Sequence, residues 1–87
     1  MHTLSIPFPT LMRIEAALTH TGETRSTFYA KSAQGLMFRP IKIGPRAAAV
    51  PASELAAVNA ARIRGAGDEE IRALVATLHA QRAGSAA

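Results

Sequence analysis

The chain has 87 residues, a formal charge of +4 and no cysteine. A chain of this size builds one modest core, since it buries only about 60 to 65% of the surface exposed when unfolded, and neither a disulfide framework nor a thiolate zinc site can supplement it. Its longest apolar run, around Ala47 to Val50, is far below the roughly 20 residues of a membrane span; with no charged-then-apolar leader and with His2, His20 and His79 scattered, a cytoplasmic protein with no membrane association, metal or cofactor is expected.

Residues 1–9, with Pro7 and Pro9 around Phe8, disfavour helix and predict an extended arm. Leu11, Ile14, Ala17 and Leu18 then recur at helical spacing, with Thr10 as a candidate N-cap, and predict a first helix ending at Gly22. A second helix is expected from Thr24 as N-cap through Ala33, with Phe28 inward, stopped by Gly35. Next, Arg39-Pro40-Ile41-Lys42-Ile43 alternates, Gly44-Pro45 turns, and Ala47 to Val50 returns, which predicts a β-hairpin with Ile41, Ile43 and Val50 toward the core. Pro51 suits the first turn of a third helix that Gly65 and Gly67 close. The last helix opens near Asp68, with Glu69 and Glu70 at its positive end and Ile71, Leu74, Val75 and Leu78 on one stripe; residues 83–87 are expected to be a disordered tail.

The charge is unevenly placed. Residues 24–50 hold Arg25, Lys31, Arg39, Lys42 and Arg46 with no acid, a local charge of +5, whereas the segment before carries −1 and the segment after carries 0. Two helices joined by a short glycine turn, followed by a basic hairpin, describe a winged helix-turn-helix, although the helices alone would suit any small bundle. In that reading Arg25, Ser26, Thr27, Tyr29, Lys31 and Gln34 of the second helix can meet phosphates or base edges, and Arg39, Lys42 and Arg46 of the hairpin can meet the flanking backbone. A solvated charged face accounts for the same residues, and Tyr29 could equally cover the core edge. No Ser-His-Asp order, zinc-ligand spacing or glycine-rich phosphate loop is present, so an enzyme is not expected.

The ordered set Leu11-Met12-Arg13-Ile14, Thr21-Gly22, Thr24-Arg25-Ser26-Thr27-Phe28-Tyr29, Arg39-Pro40-Ile41-Lys42-Ile43-Gly44-Pro45-Arg46 and Pro51 with Ser53-Glu54-Leu55 resembles the AlpA-like prophage regulators and related excisionases. The chain departs from that pattern at Ala30, where a basic residue is usual, at Val50, where tryptophan is usual, and at Met37-Phe38 ahead of the hairpin. The resemblance implies a mainly α fold with a small β-hairpin wing, related to the DNA-binding domain of MerR-type regulators. It places the opening of a recognition helix at Arg25 to Tyr29 and a wing at Lys42 to Arg46. It implies an arm over 1–9, a DNA-binding domain over 10–66, and a C-terminal helix with its tail over 67–87. The implied partners are double-stranded DNA, further copies of the chain on tandem sites, and a site-specific recombinase. The competing expectation is a protein-interaction module that uses the apolar stripe of the last helix.

Overall fold

In the computed structural model, which describes residues 10–85, the order of elements is β1 (Leu11–Arg13), α1 (Ile14–Thr21), α2 (Arg25–Ala33), β2 (Ile41–Gly44), β3 (Ala47–Pro51), α3 (Ala52–Arg64) and α4 (Asp68–Ser85). The fold is mainly helical, with four helices beside a three-stranded antiparallel sheet of order β1-β3-β2. The arm expected over residues 1–9 and the last two alanines lie outside the described residues.

The helix boundaries follow local chemistry. Thr24 caps α2 by accepting the Thr27 amide on its hydroxyl at 3.1 Å, which satisfies one of the free amides of a helix start. Gly22 and Gly65 end α1 and α3 in the left-handed conformation, at φ of 74° and 92°, where any other residue would be strained. Three acidic residues, Asp68, Glu69 and Glu70, occupy the positive first turn of α4.

The first helix begins later than its apolar spacing predicts. Leu11, Met12 and Arg13 are extended and pair with Pro51, Val50 and Ala49, and the Thr10 carbonyl accepts the Ala52 amide at 2.8 Å instead of opening a helix. Without β1 the backbone of β3 would lack partners along one edge, and three residues are too few for strand alternation to show against helical spacing. Leu11 is accordingly half exposed and takes no part in the core.

The β2–β3 hairpin forms as expected, but its register slips between Lys42 and Gly44. Ile41 faces Ala49 and Lys42 faces Ala48, whereas Ile43 is the extra residue of a bulge and is 46% exposed; of the three residues expected to face the core only Val50 belongs to it, since Ile41 is half-buried and lies outside the core cluster. Val50, on the central strand, is fully buried.

The core gathers Ile14 and Ala17 of α1, Phe28 of α2, Val50, and Leu55, Val58 and Ala61 of α3 around Leu36, Met37 and Phe38. Those last three belong to the irregular segment 34–40, whose central contribution the sequence did not signal; Phe28 and Phe38 meet edge to face with ring centres 6.0 Å apart. Ile71, Val75 and Leu78 of α4 are buried in the same core, with Leu74 packed at its edge. The fourth helix thus packs its apolar stripe into the same core as α1, α2 and α3. It also continues through Ser85, so residues 83–85, expected to be disordered, are helical.

Candidate nucleic-acid interface

Segment 34–40 connects α2 to the hairpin; its Gln34, Gly35 and Leu36 amides bond back to the last turn of α2, but its carbonyls have no strand or helix partners and take side-chain donors instead. Arg72 donates from Nε to the Gln34 carbonyl at 3.2 Å, Arg62 from Nη2 to the Leu36 carbonyl at 3.2 Å, and Ser32 from its hydroxyl to the Phe38 carbonyl at 3.3 Å. The Arg39 amide donates to His79 Nε2 at 3.1 Å, and the Arg39 carbonyl accepts from Arg82 Nη2 at 2.8 Å. Arg82 also makes a two-point bond to Glu54, Nε to Oε2 at 2.9 Å and Nη2 to Oε1 at 2.5 Å, and lies over the Phe38 ring. Glu54 is only 7% exposed, so this pairing compensates a carboxylate largely removed from water. Burial, with Arg39 and Arg82 nearby and Glu54 opposing, lowers the pKa of His79 below its ordinary 6.5, which suits a ring nitrogen that accepts a hydrogen bond.

With the connecting segment fixed, the hairpin stands beside the start of α2. Between them runs a groove of about 410 Å³, lined by Arg25 and Tyr29 from α2, Lys42 and Arg46 from the hairpin, and Glu15 from α1. Ala47 and Ala48 also line it, and their small side chains leave the concavity open. Tyr29 is half exposed and meets the buried Phe28 ring edge to face at 5.9 Å, so it joins the core edge to the groove. Arg25 Nη2 bonds Glu15 Oε2 at 2.6 Å, and Arg13 Nε lies 4.0 Å from Glu15 Oε1.

The other residues singled out from the sequence are placed differently. Ser26 and Thr27 are exposed on the first turn of α2 outside the groove, and the Thr27 hydroxyl accepts from that of Thr24 at 3.0 Å as part of the helix cap. Lys31 is half-buried in an ion pair with Glu23, in the turn before α2, and does not reach the groove. Arg39 is exposed in a separate concavity shared with Ser32, Arg72 and His79. Glu15 was not anticipated as a groove residue. It stands ten positions before Arg25 on another helix, and no local pattern announces a contact of that separation.

Among the described residues, no three or more His, Cys, Asp or Glu side chains gather as a metal site, and no helix is long and apolar enough to cross a membrane. Compared with protein-family models, curated proteins and solved structures, the chain matches none.

Proposed function

We propose that the protein binds duplex DNA as a winged helix-turn-helix, with α2 as the recognition helix and the β2–β3 hairpin as the wing. The observation that carries this reading is the convergence of Arg25, Tyr29, Lys42 and Arg46 on one open groove at the start of α2. A helix start offers amides and a positive end to phosphate, arginine can grip guanine at two atoms, and lysine or arginine on a hairpin can follow the neighbouring backbone. The resemblance to prophage regulators and excisionases points to control of a mobile element, either as a recombination directionality factor beside a site-specific recombinase or as a transcriptional regulator.

One recognition helix reads only a few base pairs, so specificity requires several copies on adjacent sites. A titration on duplexes carrying one, two and three copies of a site selected from a random pool tests both parts. Binding that weakens with salt at a log-log slope of about −3 is expected if Lys42, Arg46 and Arg39 each neutralise one phosphate, together with affinity per site that rises as copies are added. Absence of binding at low salt would refute the DNA reading; unchanged affinity per site would refute assembly alone. A bend at an attachment site favours the directionality factor, and binding at a promoter without a bend favours the regulator. The competing protein-interaction reading loses its main support, because the α4 stripe is occupied by the core.

A further inference from the structure

A carboxylate is an unfavourable neighbour for a groove that receives phosphate, yet Glu15 is the one acidic residue among those lining it. Its pair with Arg25 is not explained by folding. Both side chains are more than half exposed, at 61% and 51%, and an exposed pair contributes little to stability. What the contact does constrain is orientation. Arginine presents its donors in one rigid plane, and a bond from Nη2 to Glu15 Oε2 at 2.6 Å biases that plane toward one orientation while leaving the remaining donors for a second planar acceptor. Glu15 is suited to be ionised for this role, since its own backbone amide first, and Arg25 next, hold its carboxyl below the ordinary value.

We propose that Glu15 is a specificity-determining positioning residue, which holds the Arg25 guanidinium in the orientation that reads a base edge and, by its charge, weakens binding that relies on phosphates alone. This inference deepens the DNA-binding reading and rests on it. Without Glu15, Arg25 is free to swing to a phosphate, where it adds affinity to every sequence and discrimination to none. The carboxylate therefore trades affinity for selectivity.

The test is Glu15→Gln in the full chain, which keeps the side-chain length and removes the charge, measured against the selected site and against random duplex. Binding to random duplex is expected to tighten about three- to five-fold while the selected site changes less than about two-fold, as expected for the loss of one like-charge repulsion and the weakening of one orienting bond, which the Gln oxygen accepts without charge assistance. The lost discrimination is expected at the base pair whose preference Arg25→Ala also abolishes, and Glu15→Gln is expected to have no further effect on that preference when added to Arg25→Ala. Thermal unfolding by circular dichroism should be unchanged, which separates the effect from a structural one. An unaltered ratio of selected to random affinity overturns the inference while leaving the DNA reading standing, as does a loss spread evenly over all positions in both backgrounds. Failure of the unmodified protein to bind any duplex at low salt overturns both.

Discussion

Two sets of arginines in this small domain have opposite fates. Arg25 and Arg46, with Lys42, line an open groove and leave guanidinium or ammonium donors facing water. Arg62, Arg72 and Arg82, from α3 and α4, turn their donors onto carbonyls of segment 34–40, and Arg82 adds the buried carboxylate of Glu54. Residue type does not separate the two sets. What separates them is where unpaired backbone acceptors lie: β2 is an edge strand whose outer carbonyls are open to water, whereas the irregular connection 34–40, with Leu36, Met37 and Phe38 buried, presents its carbonyls to the long donors of α3 and α4. The arginines that reach segment 34–40 from α3 and α4 are thereby engaged within the fold, whereas the exposed side chain of Arg39 and the cations of the hairpin stay available to a partner.

The comparison is broken most directly at Arg82. Arg82→Ala strands the Glu54 carboxylate and frees the Arg39 carbonyl, and is expected to destabilise the fold by about 2 to 3 kcal/mol, read as a lower urea midpoint with little change in slope. A midpoint equal to that of the unmodified protein would show that the latch carries no stability and that the two sets do not differ.

The contrast also explains what could be read in advance. The helix ends at Gly22 and Gly65, the Thr24 cap, the hairpin and the stripe of α4 all rest on short-range patterns, and these were legible. β1 was not, because its reason for being a strand is an edge of β3 far along the chain. Ile43 was misplaced because alternation alone cannot announce a bulge. At the site, Arg25, Lys42 and Arg46 were legible from charge placement and Tyr29 from its place on the second helix, while the ion pair that engages Lys31 with Glu23 was not. Glu15 was hidden for the same reason as β1: its partner lies on another element.

On the open side, Lys42→Ala and Arg46→Ala are expected to leave stability within about 0.5 kcal/mol, as surface changes do. Each should weaken binding to all duplexes by about three-fold and flatten the salt slope by about one. A comparable loss of thermal stability in either variant would place these residues with the internal set instead.

The smallest expected effect is the pH dependence of the latch. Burial first, then Arg39 and Arg82 against the opposing Glu54, lower the folded-state pKa of His79 from 6.5, so the unfolded chain binds more protons than the folded one between the two values. The stabilisation is therefore present above pH 6.5 and is lost as pH falls from there through the lower folded value. Chemical denaturation of the unmodified protein and His79→Gln from pH 7.5 down to 5 should give curves that converge or cross toward acid. Parallel curves would remove His79 from the set of groups that hold segment 34–40.

The paired strands β1 and β3 bring Met12 against Val50, and the contacts that fix segment 34–40 come from residues 62, 72, 79 and 82. This wiring has a kinetic meaning. The hairpin closes over a few residues and can form early, but its placement beside α2 waits for contacts made across long stretches of chain, whose loop-closure entropy must be met first. The basic groove is accordingly expected to take shape late in folding, after Glu54 has met an arginine that follows it 28 positions later in the chain.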